Sequence, residues 1–311
     1  MTASGCVTVH GELEVVPAAT KSEAAKALAD FTTAYNAADK AYDPALDADR
    51  VTGSLGAINQ AGLRARQKNH PDSNANHVPL ELTDATYFIP KKAGWPRWFL
   101  AETDSNRDQD SGKQDTSWLI AFVKTGPDAV WKASYLAVVA PAQMPAFAKD
   151  GDGRARPVSA DSAELAVAPE DLSTQYTQYL QKGTPDVFAP GVATSAWRYQ
   201  RSNTRRAGFS FQFIDQPLNG GTFDPLGLET EDGGALVFFS SKHFEQQTAA
   251  KGLRPAVNAD VQALLTGEVK STLTKERVSS QLVYVPKKGA GNDGKVIVLN
   301  RLPGLTAAKG S

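Results

Sequence analysis

The run Thr20-Lys21-Ser22-Glu23-Ala24-Ala25-Lys26-Ala27-Leu28-Ala29-Asp30-Phe31-Thr32-Thr33-Ala34-Tyr35 sets the architecture of the first half of the chain. Thr20 followed by Glu23 is a capping-box pair, in which each side chain satisfies the other's free backbone amide. Ala24, Leu28, Phe31, Tyr35, Ala38 and Tyr42 then recur at spacings of four and three, placing one apolar stripe on one helix face until Pro44 stops it. A second helix is predicted over Thr52–Arg66, with Leu55, Ile58 and Ala61 on one side. Arg64, Arg66 and Lys68 near its end suit the negative pole of the helix.

After a polar loop containing Pro71 the pattern changes to strands. Leu80 to Ile89, Trp98 to Glu102, Trp118 to Val123 and Val130 to Val139 are β-rich, and the last of these alternates along its length. Helices followed by about four antiparallel strands predict an α+β layer arrangement. From 141 to 168 the chain is rich in Pro, Gly, Asp and Ala with little periodicity, which reads as a linker. A second helix-first unit follows, opened by Leu172, Tyr176 and Tyr179 and ended by Gly183. Strands are predicted at Phe209–Ile214, Ala235–Phe244, Glu268–Leu273, Val278–Val285 and Val296–Leu299, with a short helix capped by Asn258. The expected organisation is therefore a tether over 1–20, an α+β domain over 21–140, a linker over 141–168 and a second α+β domain over 169–311.

Composition removes several function classes. Thirty-three basic against thirty-four acidic residues leave a net charge of −1, which gives no electrostatic case for nucleic acid. No run approaches the roughly 18 apolar residues of a membrane span. The single cysteine, Cys6, excludes an internal disulfide, so the fold rests on its core. Ala3-Ser4-Gly5-Cys6 resembles the end of a bacterial lipobox, although only five residues precede the cysteine where an apolar stretch is expected. The resemblance implies an exported chain with Cys6 as the lipidated residue, held at the extracytoplasmic face of the cell membrane.

Ala34-Tyr35-Asn36-Ala37-Ala38-Asp39 through Val51-Thr52-Gly53, followed by strands, resembles the opening of a nuclear-transport-factor-like cone, in which helices close over a curved antiparallel sheet. Gly5-Cys6-Val7-Thr8-Val9-His10-Gly11-Glu12, Gly94-Trp95-Pro96-Arg97-Trp98 and Glu231-Asp232-Gly233-Gly234-Ala235-Leu236-Val237-Phe238-Phe239 are similar to a family of uncharacterised actinobacterial lipoproteins. Neither resemblance implies a particular activity.

Asp104, Asn106, Asp108, Asp110 and Asp115 have the alternation of a calcium loop, but Gln109 stands where the turn requires Gly. A solvated acidic hairpin is the expectation, and no metal or cofactor is assigned. Trp95, Trp98, Trp118 and Trp131 fall in the first sheet region, as a core or as the lining of a cone mouth. No zinc motif joins His10, His70, His77 and His243, and no nucleophile elbow or phosphate loop occurs. His243 is expected at the surface. Arg198, Arg201, Arg205 and Arg206, interleaved with Trp197 and Tyr199, are expected on a solvated helix face, with an anionic envelope polymer as the competing reading. Two functions stand: a non-catalytic binding or scaffolding module for an envelope protein or small ligand, or a hydrolase or isomerase working in a cone pocket, with Asp84 as its acid.

Overall fold

The computed structural model describes residues 14–107, 115–290 and 294–311. In chain order the elements are β1 (Val16–Pro17), α1 (Lys21–Ala41), α2 (Gly53–Asn69), β2 (Leu82–Phe88), β3 (Lys91–Lys92), β4 (Arg97–Ser105), β5 (Ser117–Lys124) and β6 (Lys132–Val139). Then follow α3 (Leu172–Lys182), α4 (Ser195–Ser202), β7 (Phe209–Leu218), β8 (Leu226–Glu229), β9 (Ala235–Ala249), α5 (Ala259–Ala263), β10 (Leu265–Thr266), β11 (Thr272–Val285) and β12 (Ile297–Gly310).

The chemistry of α1 is as its sequence predicts. The Glu23 amide donates to Thr20 Oγ1 at 3.1 Å while the Thr20 amide donates to Glu23 Oε2 at 2.7 Å. Tyr42, in the left-handed region at φ 53°, closes the other end. The stripe buries Ala24, Leu28, Phe31 and Ala38, and Phe31 meets Phe122 edge-on at 5.9 Å.

The class is α+β, with antiparallel sheets in both halves. Of the two larger sheets, one runs β2-β4-β5-β6 and the other β10-β12-β11-β9-β7, with β8 paired to β9 and the short β10 parallel to β12; β1 and β3 form a small third sheet. Because side chains alternate across a strand, β4 sends Phe99 and Ala101 towards α1, and Trp98 and Leu100 towards the second sheet. The second sheet returns Leu236, Phe238 and Leu282 to that shared core, and on its far face buries Val237, Phe239, Val283 and Val285 against α3. The order of layers is helices, sheet, sheet, helices.

Several expectations change. Residues 147–167, within the expected linker, lie against the second sheet, where Phe147, Ala155, Leu165 and Val167 are buried. The amide of Val158 donates to Gly227 O, and that of Ala166 to Pro286 O. The separate strand expected at Glu268–Leu273 is not formed: Gly267, at φ 74°, turns the chain there, 268–271 are not strand, and Thr272 and Leu273 open the long β11. The last strand reaches Gly310, far beyond Leu299, and carries Pro303 and Gly304 within it. Proline is accepted because the outer neighbour of β12 is only the two-residue β10, paired at Ala308 and Lys309, so Pro303 faces no missing ladder bond on that side. Glycine is required at 304 because a Cβ there would collide with Ile58 of α2.

Candidate functional site

Phe209, Phe211 and Phe213 alternate along β7, and Asp215 continues their face. Asp215 pairs across the sheet with His243 on β9, and Ser241 lies two residues from His243 on the same face. This register brings three polar side chains together beneath α4. His243 Nδ1 lies 2.7 Å from Asp215 Oδ1, and Nε2 lies 2.8 Å from Ser241 Oγ. Arg201 of α4 grips the same carboxylate with two bonds, Nη1 to Oδ1 at 3.0 Å and Nη2 to Oδ2 at 2.8 Å. Trp197, one turn earlier, meets the His243 ring edge-on at 4.9 Å.

Burial pushes the Asp215 carboxyl up, but the bonds from His243 and Arg201 more than offset it and hold its pKa below the ordinary value. Burial lowers the His243 pKa to about 4; Arg301 and Arg201 push the same way, against the pull of Asp215. The ring is therefore neutral near pH 7, with its proton on Nδ1 towards the carboxylate. The neighbouring amide opposes this. Turned so that its nitrogen donates to the Ser279 and Phe239 carbonyls, Gln281 accepts the Ser241 hydroxyl at 2.6 Å, which asks both ring nitrogens to donate. Burial prevails: an unsatisfied buried polar group costs about 1–3 kcal/mol, whereas one more buried cation, sharing a carboxylate already held by Arg201, costs several.

Asp, His and Ser in this order are the geometry of a nucleophilic triad. The surroundings differ from those of an acyl-transfer site. Ser241 is 0% exposed. It lies on β9 between β7 and β11, where flanking backbone amides are committed to the sheet and offer no oxyanion donors. As it stands, the array braces α4 to the sheet.

Beside the array are two adjoining cavities. One, of about 600 Å³, is lined by Arg198, Arg201, Arg205, Phe211 and Phe213 among others. The other, of about 200 Å³, is lined by Trp197, Arg201, Phe213, His243, Arg277 and Arg301 among others.

The remaining expectations fall as follows. Cys6 and His10 lie outside the described residues, as do Asp108, Gln109 and Asp110. Asp104 accepts the Ser105 amide at 2.8 Å, and Asn106 Oδ1 accepts the Glu81 amide at 3.0 Å, so local backbone occupies both side chains. Among the described residues no three His, Cys, Asp or Glu side chains converge as metal ligands. The face expected to hold Leu82, Asp84 and Phe88 does not exist: a bulge at 83–86 puts Leu82 on the α1 side and Phe88 between the sheets, and leaves Asp84 exposed at φ 50°, so its place as an acid is withdrawn. His243 is buried, not superficial, because β9 continues to Ala249 and places it mid-strand. Arg201 is likewise no solvated residue, since α4 lays it on the sheet. His77, which belongs to no metal-ligand motif in the sequence, lies 3.0 Å from Asp39 of α1. Trp98 is buried between the sheets and Trp131 packs on Phe99 at 4.9 Å. Trp118 borders a cavity of about 370 Å³ between α2 and β12, and Trp95 lies under Arg97. Asp215 and Ser241 escaped the sequence reading, although the alternation of 209–215 already placed Asp215 on the aromatic face.

Among the described residues no helix is long and apolar enough to cross a membrane. No solved structure matches the chain. An uncharacterized lipoprotein of Streptomyces coelicolor is 53% identical over 312 residues, covering 100% of this chain and 92% of its own. One from Streptomyces avermitilis is 52% identical with the same coverage. A second Streptomyces coelicolor lipoprotein is 27% identical over 238 residues, which span 74% of this chain and 63% of its own. The Streptomyces relatives are named as lipoproteins, and residues 15–310 match the family described as Domain of unknown function (DUF8094), to which the chain therefore belongs.

Proposed function

We propose that this protein is a non-catalytic binding module of the cell envelope, held at the extracytoplasmic face by lipid on Cys6. Its binding face is the side of the second half covered by α4. The observation that carries the reading is the pair of adjoining cavities that share Arg201 and Phe213, lined by guanidiniums and aromatic rings and set on a sheet that the buried array makes rigid. In the smaller cavity a few polar groups converge within mainly apolar walls, as in ligand sites generally, and the larger one adds a more polar lining beside it. The lipoprotein relatives support the anchor, and acyl chains contribute about 0.8 kcal/mol per buried methylene, enough to hold a folded domain at a membrane when two or three are present.

One observation favours the second reading, a hydrolase: the spacing of Asp215, His243 and Ser241. One experiment tests the anchor, and a second separates the binding module from the hydrolase. Expressed from its complete gene in a bacterial host, the protein is expected in the membrane fraction with an acylated Cys6, and Cys6→Ser is expected to release it. A fluorophosphonate probe, which labels activated serines, is expected to leave Ser241 unmodified. Labelling that disappears in Ser241→Ala would establish the enzyme instead.

A further inference from the structure

The charges around the smaller cavity do not balance. Glu245 is shared by Lys275 at 3.2 Å and Arg277 at 3.3 Å. Asp215 is shared by Arg201 and His243. Arg301, which reaches the cavity from β12, meets no carboxylate and no hydrogen-bond acceptor among the described residues. Its Nε is sealed from solvent without a partner; its guanidinium stacks on the face of Trp197, 3.7 Å from the ring centroid, and feels Asp215 only at longer range. Arg201 lies over the same ring at 4.6 Å. Four cations thus surround two carboxylates. Arg301 is partly buried, and a guanidinium with a sealed, unpartnered Nε carries a desolvation cost that a paired one would not. Burial lowers the Arg301 pKa; Tyr176 and Asp215 pull it back up, while Arg201 and Arg277 add to the lowering.

We propose that the cavity bounded by Trp197, Arg277 and Arg301 is a binding site for a small oxyanion, a phosphate or carboxylate group carried by the ligand of this protein. The assignment deepens the binding-module reading and rests on it. Guanidinium is the group suited to this chemistry, because its planar fork of donors matches two oxygens at once and stacks on an aromatic ring without losing that fork. Trp197 holds Arg301 by its face; the sealed Nε is out of a ligand's reach, and the terminal nitrogens are the donors left for it. Arg277 is at the rim, one-third exposed and held by a single 3.3 Å contact to Glu245, so it is able to turn to an incoming anion. Size limits the ligand: about 200 Å³ is below the range of roughly 300–1,000 Å³ that encloses drug-sized molecules. Only the anionic head enters, and the larger part of the ligand lies over Arg198 and Arg205 in the adjoining cavity.

The test uses the full chain carrying Cys6→Ser. Its melting temperature is followed against inorganic phosphate and against succinate, with sodium chloride at matched ionic strength as reference. One or both probes are expected to raise it, since whatever binds only the folded state stabilises it; which one does so identifies the group. Arg301→Met is expected to remove that shift and to weaken binding in calorimetry by about tenfold or more, without lowering the melting temperature in chloride, because it also removes an unpaired cation. Arg277→Gln at the rim provides the same test, with a weaker probe response, should Arg301→Met fold poorly. No shift with either probe, or a shift unchanged in both variants, overturns the assignment. An absent shift with Ser241 unlabelled by fluorophosphonate defeats the oxyanion site alone, whereas labelled Ser241 defeats the binding-module reading whatever the anions do.

Discussion

The neutral state of His243 makes a quantitative prediction about acid. In the unfolded chain the ring has its ordinary pKa of 6.5, and in the folded protein about 4. Below 6.5 the unfolded state therefore binds a proton that the folded state refuses, so stability is complete above that pH and falls as the solution is acidified towards the folded value. Between about pH 7.5 and about pH 4.5 the two pKa values give a loss of about 2–2.5 kcal/mol from this one residue. Other groups titrate in the same interval, so the measurement is a difference: urea unfolding of wild type and of His243→Gln at each pH. Glutamine keeps an amide for Asp215 but has no proton to gain. The wild type is expected to lose about 2 kcal/mol more than the variant on acidification. A flat difference curve would show that the ring is solvated. A curve of opposite sign, with wild type gaining on acidification, would show that the Gln281 orientation dictates an imidazolium, and the burial argument would fail.

Three further outcomes are expected. Phe31→Ala removes a ring packed on Phe122 and is expected to cost about 3–5 kcal/mol in denaturant unfolding; a cost below about 1 kcal/mol, as at surface sites, would refute the packing of α1. Arg201→Leu leaves the buried carboxylate of Asp215 with His243 alone and is expected to cost about 3–5 kcal/mol; a neutral result would place Asp215 in water. Millimolar calcium is expected to leave the melting temperature unchanged, because Asn106 is bonded to the Glu81 amide; a clear rise, absent when Asp104 and Asp108 are both changed to alanine, would make the acidic loop a metal site.

Local rules made the helices legible. The capping box at Thr20, the stripe through Phe31 and the Asn258 cap depend on residues within a few positions of one another, and all three stand. In the sequence the last strand reads as ending at Leu299, and what lets it run on through Pro303 and Gly304 lies far away: a neighbouring strand too short to need a bond there, and Ile58 packing from α2. The same distinction governs the site. Ser241 and His243 share a face by simple alternation, but their partners Asp215, Arg201 and Gln281 come from other elements. A histidine between Lys242 and Phe244 reads as superficial until the full length of β9 is known. Charge counting over the whole chain gave near neutrality and so concealed a local excess of cations around one cavity.

The contacts of α2 have a consequence for assembly. Lys68 donates to the carbonyl of Ala263, 195 residues downstream, and Ile58 rests on Gly304. A ribosome extends a chain by about 5–20 residues per second, so α2 waits on the order of ten seconds or more for the strand that covers it. During that interval Leu55 and Ile58, which border the α2–β12 cavity, have no cover from the final strand. The half that is made first is thus completed last, and any slowing late in synthesis or export prolongs the time in which its greasy helix is open to holdase chaperones, proteases or a second nascent copy.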